Sequence, residues 1–160
     1  MPISTIDGSG LSQTQILSSV QLPTGSVLQV VNANSSTQVT TTSTSYISTG
    51  FSASITPKFS TSKILVSVHA PTTCTASGTG VGVQVWRGGS SIFFLAPAAG
   101  YNVSTGLAQN NTYSSGVYLD SPATTSSVTY TIYYASINPG TAYFCINSNV
   151  ATITLTEIAA

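Results

Sequence analysis

The sequence predicts an all-β domain, a jelly-roll sandwich of about eight to ten short strands. Three observations carry that reading. Apolar residues recur at every second position in several separate runs, the period of a half-buried strand. Turn-forming clusters punctuate those runs at roughly ten-residue spacing, as in sandwiches and barrels. The composition suits a folded sheet: hydrophobic residues make up 41% of the chain, eight residues are Tyr, and charged residues are only 4%. Ser and Thr fill roughly a third of the sequence, against an ordinary charged share of about 25%. Disordered chains are polar too, but they lack the aromatic and β-branched residues found here.

Residues 1–22 differ from the rest of the chain. They are rich in Ser and Gln, carry the turn residues Asp7-Gly8-Ser9-Gly10, and hold only isolated apolar side chains. Leu11, Gln15 and Ser18 share one face at helical spacing, as do Ile16 and Val20. Such a segment buries little alone, so it reads as an N-terminal arm, held by another chain or mobile. Pro23-Thr24-Gly25 marks the boundary with a single domain over 23–160.

Within that domain, SVLQVV (26–31) reads as the first strand and Asn32 to Ser36 as a turn cluster. Residues 37–49 read as a Thr/Ser-rich strand pair or one long edge strand, broken at Gly50. Phe51, Ala53 and Ile55 then alternate with Ser and Thr until Pro57, which donates no ladder hydrogen bond. Ile64, Val66 and Val68 resume the alternation in the strongest strand of the first half. PTTCTASGTG (71–80) is loop-like in composition, and GTGVG (78–82) reads as a flexible turn. Val81, Val83 and Val85 give the next strand; Gly88-Gly89 turns the chain into IFFL (92–95). Residues 96–110 show no clear period and read as a long loop or irregular edge. A strand over 111–119, interrupted by Gly116, closes at Asp120-Ser121-Pro122. SVTYTIYYAS (127–136) places Val128, Tyr130, Ile132 and Tyr134 on one face and Thr129, Thr131 and Tyr133 on the other. Asn138-Pro139-Gly140 is a turn, AYFCI (142–146) a short strand, and VATITLTEI (150–158) the last one. Trp86 lacks flanking cysteines at immunoglobulin spacing, which favours the jelly roll over an immunoglobulin sandwich.

Composition also narrows function. Net charge is zero, and the three cations Lys58, Lys63 and Arg87 are scattered. They cannot neutralise a run of phosphates, so nucleic acid is excluded as a partner. No run approaches the ~18 apolar residues of a membrane helix, and the N-terminal residues show no secretory pattern. Cys74 and Cys145 form no CxxC and read as free thiols. The lone His69 has no partner motif and reads as a polar-face residue. Asp120 and Glu157, the only carboxylates inside the domain, read as loop or strand-edge charges. No catalytic constellation, metal cluster or cofactor motif is present, so the chain reads as a non-enzyme with no cofactor. Among the aromatics, Tyr130 and Tyr134 share parity with the core. Tyr133 faces the other way and, with nearby Tyr143, is the interface candidate. Loop Tyr101 is the candidate for contact with an outside ligand.

Three stretches carry a resemblance: LPTGSVLQVV (22–31), the run ending in SYISTGFSASITP (45–57), and STSKILVSVHA (60–70). Together they resemble a pattern common in virion structural proteins of tailed bacteriophages, especially those of marine and freshwater bacteria, cyanophages among them. TITLTEIAA (152–160) resembles the final strand of that group, while 71–149 does not align. The resemblance implies a trimeric, tumour-necrosis-factor-like jelly roll on the virion surface. It also implies attachment to other virion proteins through the arm, with Ile3, Ile6, Leu11, Ile16 and Leu17 as the anchoring side chains. The chain has no repeat and no shaft, which fits a head fibre or capsid decoration protein. The alternative is a tail-fibre or spike tip whose loops, 71–80 and 96–110, bind a host surface glycan.

Overall fold

A computed structural model describes residues 22–103 and 109–160. Its strands are β1 (Val27–Ser35), β2 (Val39–Thr41), β3 (Ile47–Ile55), β4 (Lys63–Thr75), β5 (Thr79–Arg87), β6 (Ser90–Asn102), β7 (Asn110–Asp120), β8 (Val128–Ser136), β9 (Thr141–Phe144) and β10 (Ala151–Ile158). A front sheet of six strands runs β1-β10-β4-β9-β2, with β7 on the other edge of β4; a back sheet runs β3-β8-β5-β6.

The pairing has a simple logic. β5 pairs with β6, β4 with β7, β3 with β8, and β1 with β10, all antiparallel. The chain is therefore a ribbon doubled back on itself, first strand against last, and wound into two sheets: a jelly roll. The ribbon folds at the two-residue turn Gly88-Gly89, with φ of 57° and 86°. Positive φ at both central residues is the primed turn that matches strand twist, and glycine adopts it without steric cost.

The short strands complete this pattern. β10 pairs with β4 from Lys63 to His69, and β9 takes over the same edge from Thr72 to Thr75. β9 and β10 are thus one strand broken by a 3-10 turn at Ile146–Ser148. β1 and β2 lie beside β10 and β9 in the same way. The break falls at Pro71, which has no N–H to give a neighbour; its carbonyl accepts from the Cys145 N–H at 3.1 Å.

Alternation sets the core. Ile64, Val66 and Val68 on β4 and Ile153 and Leu155 on β10 face Val81, Val83 and Val85 on β5 and Tyr130, Ile132 and Tyr134 on β8. Each fully buried aliphatic side chain contributes about 1.5–3 kcal/mol relative to exposure.

Several expectations are corrected. Residues 32–35 continue β1, and β4 runs to Thr75 with β5 starting at Thr79, so 71–80 is mostly strand. The supposed flexible turn at 78–82 is largely buried β5. β6 continues through 96–102, where a bulged register with β5 hides the period. Gly50 does not end a strand but sits in a bulge of β3, with φ of 77°. Gly116 does not interrupt β7 either. It lies opposite Val68 facing inward, where β6 of the back sheet meets β7 of the front. A Cβ there would come within 2.7 Å of Leu95 Cδ1 and 2.8 Å of Phe93 Cζ. Gly116→Ala is expected to lower stability by about 1–3 kcal/mol through overpacking. Urea denaturation tests this; an unchanged midpoint would show that the two edges are not closely joined there.

Candidate functional site

Groups that could do chemistry are consumed by structure. Asp120, at the end of β7, is 5% exposed. Its Oδ2 lies 2.9 Å from Arg87 Nη1 and accepts the Tyr130 hydroxyl at 2.7 Å. That cluster ties β7 of the front sheet to β5 and β8 of the back. Glu157 on β10 is fully buried. It accepts Gln29 Nε2 at 2.5 Å and the Lys58 backbone N–H at 2.7 Å, and Gln29 Nε2 also donates to the Thr56 carbonyl at 2.7 Å. Glu157 thereby pins the corner between β3 and β4 onto β1 and β10. The reading of both acids as loop or edge charges is thus overturned. The signal was present: Glu157 shares parity with Ile153 and Leu155, and Arg87 with Val81, Val83 and Val85.

His69 lies on the outer side of β4. Its Nδ1 is 2.8 Å from Ser115 Oγ, and its ring stacks on Tyr113 with centroids 5.6 Å apart. Cys74 and Cys145 are free and buried. Burial raises both thiol pKa values, so neither offers a thiolate nucleophile near neutrality. Among the described residues, no group of three His, Cys, Asp or Glu side chains could hold a metal ion. No helix among them is long and apolar enough to cross a membrane.

What remains is surface. Asp120 and Glu157 are buried and Arg87 is paired, so Lys58 and Lys63 are the only unpaired charged side chains exposed among the described residues. On the front sheet, outward residues align in rows across four strands: Val30, Thr156, Leu65 and Leu119, then Asn32, Thr154, Ser67 and Val117. Val30 is 58% and Val117 59% exposed. The rows hold apolar and neutral polar side chains and no charge. On the back sheet, the outward face gathers Tyr46, Trp86, Phe94 and Tyr133.

The residues predicted from sequence are spread over these surfaces. Tyr143 on β9 faces outward on the front sheet, beside Thr40 and Thr73. Tyr133 faces outward on the back sheet and stacks on Trp86. Tyr101, near the end of β6, is 46% exposed, and its hydroxyl lies 3.4 Å from Asn138 Nδ2. These three tyrosines do not form one site. Ile3, Ile6, Leu11, Ile16 and Leu17 lie outside the described residues. Sequence reasoning passed over Phe94, Trp86 and Gln84; their shared face depends on the bulged pairing of β5 with β6.

No protein-family model matches the chain, and no curated protein matches it. Among solved structures it is similar to that of the VP2 subviral particle of infectious bursal disease virus. That match has 12% identity and a TM-score of 0.46, and covers 100% of this chain and 42% of the other. The structure of the Gx strain of infectious bursal disease virus is similar at 14% identity and a TM-score of 0.41, covering 100% and 43%. The chain thus spans less than half the length of either. Fold and surface together define a charge-poor jelly-roll domain.

Arg87→Met leaves the Asp120 carboxylate with the Tyr130 hydroxyl alone. A loss of about 2–4 kcal/mol is expected in denaturant titration, partly restored by adding Asp120→Asn. Alkaline pH offers a second test. Burial pushes the Tyr134 phenol from 10.0 up to about 12. Burial, and then the hydrogen bond to Asp120, raises Tyr130 as well. Above pH 10 the unfolded chain loses these protons while the folded chain keeps them, so stability is full below pH 10 and falls toward 12. Thermal melts across that range should show the fall, and Tyr134→Phe should reduce it.

Proposed function

We propose that the chain is a non-enzymatic structural component of a virion: a surface-displayed knob, acting as a head fibre or capsid decoration protein. In this reading it assembles as a homotrimer, and residues 1–22 fasten it to other virion proteins. The observation that carries the proposal is the charge-poor exterior. With only Lys58 and Lys63 exposed and unpaired among the described residues, copies of the domain repel one another little. The front face supplies what an interface needs: exposed Val30, Val117, Leu119 and Tyr113 among hydroxyl groups. Tyr143, on the same outer side, belongs to that contact; Tyr133 lies on the opposite sheet.

Two further facts support the reading. The ionisable groups of the interior hold the sheets together, and the one Ser–His pair among the described residues, Ser115 with His69, has no carboxylate on its ring, since Asp120 and Glu157 are bonded elsewhere. The jelly roll is also an architecture that capsid and lectin domains use, although fold alone does not assign function. The sequence resemblance over residues 22–70 narrows the class to virion proteins.

Light scattering on the full chain and on a chain lacking residues 1–22 tests the assembly. Both are expected at about three times their monomer mass, which for the full chain is 16.4 kDa. Contacts without charge should persist at about 1 M salt, where ionic contacts are screened. Val117→Glu places a charge on the front face and should yield monomers with unchanged circular dichroism. A wild-type chain that is monomeric at every concentration would sink the trimer. Mass spectrometry of purified particles should find the chain among the virion proteins; its absence would sink the virion role.

A further inference from the structure

The outer face of the back sheet is built differently from the front. By register, Gln84 on β5 stands between Tyr133 on β8 and Phe94 on β6, with Trp86 one row along beside Thr131 and Ser91. Trp86 stacks on Tyr133 with centroids 4.2 Å apart and planes 12° apart, and Tyr46 meets Phe94 edge-on at 6.1 Å. Beyond Gln84 the next row is small, Gly82 beside Ala135. Tyr46 lies over that row, since a Cβ on Gly82 would meet its hydroxyl and ring. Four rings therefore surround one carboxamide.

That carboxamide is held in one orientation. The Trp86 indole N–H donates to Gln84 Oε1 at 2.7 Å, which leaves Nε2 as the donor at the other end. Gln84 points out of the sandwich but is only 5% exposed. No acceptor for its Nε2 exists among the described residues, and the Tyr46 and Tyr133 hydroxyls have no hydrogen-bond partner there either. The donor is not a buried orphan: Ser62 Oγ and Thr72 Oγ1 are the only buried side-chain polar atoms without a partner among the described residues, so Gln84 Nε2 reaches solvent. Here a fixed donor and two phenols remain uncommitted beside exposed ring surface, with Phe94 57% exposed.

This chemistry selects a ligand class. A sugar ring offers an apolar C–H face to an aromatic ring and hydroxyls to uncharged donors and acceptors around it. Nucleobases stack on aromatic rings too, but their phosphates need cations, and the outward neighbours here are Ser48, Ser52, Thr129 and Thr131. Acidic sugars are disfavoured for the same reason. A second copy of the chain fits less well. Of the four rings only Phe94 is largely exposed, so the face offers little of the apolar core that a stable protein interface needs.

We infer that this face, centred on Gln84 within Tyr46, Trp86, Phe94 and Tyr133, binds a neutral oligosaccharide. Gln84 Nε2 donates to a sugar hydroxyl, and the exposed ring surface covers the C–H face. The inference does not rest on the virion or trimer reading, which uses the front sheet.

Trp86 is the chain's only tryptophan, so its fluorescence reports on the site directly. The full chain is screened against an array of neutral, sialylated and sulfated oligosaccharides, and neutral hits are titrated against Trp86 emission. A neutral oligosaccharide is expected to change that emission. Phe94→Ala, at an exposed position, and Gln84→Leu should each weaken binding by about tenfold or more, with circular dichroism unchanged, while Tyr101→Ala has no effect. Three results overturn the inference: no neutral oligosaccharide bound, binding confined to acidic glycans, or loss of binding with Tyr101→Ala but not with Phe94→Ala. If Phe94→Ala instead dissociates the oligomer, the face is a subunit contact and the inference also falls. Val117→Glu monomers that still bind the sugar would separate this site from the assembly.

Discussion

Every strand of this domain finds its backbone partner by a single geometric constraint, the pairing of the chain's first half with its second in reverse order. β5 meets β6 across Gly88-Gly89, and each earlier strand meets a later one until β1 lies on β10. Backbone N–H and C=O groups must be satisfied once buried, and this pairing satisfies them from one tight turn at its centre. It also decides which residues meet. Asp120 and Arg87 are far apart in sequence but come together because β7 and β5 end at the same corner of the sandwich. The same constraint explains the interrupted strands: where Pro71 cannot donate, the neighbouring strand breaks into β9 and β10, and β2 follows β9.

A consequence is an unusual division of charge. A domain with so few ionisable side chains places Asp120, Arg87 and Glu157 in its interior contacts. Buried charges are tolerable only when paired or well hydrogen-bonded, and each of these is. The outer faces are left to hydroxyl, aliphatic and aromatic groups. Such faces suit contact with other neutral surfaces, whether protein or sugar, and the two sheets present two different kinds: flat aliphatic–hydroxyl rows in front, clustered rings behind. The sandwich core between them holds the two faces apart, so one can contact subunits while the other stays open.

Much of the architecture was legible from alternation. The runs at 51–55, 64–68 and 81–87 fall on strands, as do 127–136 and 150–158 but for their first residues, and Tyr130 and Tyr134 are core residues as their parity implied. Where alternation was absent, local pattern misled. The second half of β4 is rich in Thr, with Pro and Cys, and β6 from Ala96 to Gly100 is Ala, Pro and Gly; both are strands because neighbouring strands supply hydrogen bonds. Glycine was misleading for a related reason. Gly116 looked like a breaker, but its missing side chain makes room for Phe93 and Leu95 from the facing sheet, a neighbour invisible in the local sequence.

By itself, then, the sequence determined the class of fold, the inward residues of the regular strands and the turn at Gly88-Gly89. Those are properties of local pattern, because strand parity and turn geometry are set by residues a few positions apart. Only the tertiary structure decided which partners hold Asp120 and Glu157 inside, that Tyr133 and Tyr143 face opposite sides, and that four rings gather around Gln84. These depend on which strands lie side by side and in what register, and a bulge that shifts pairing by one residue moves a side chain from one face to the other.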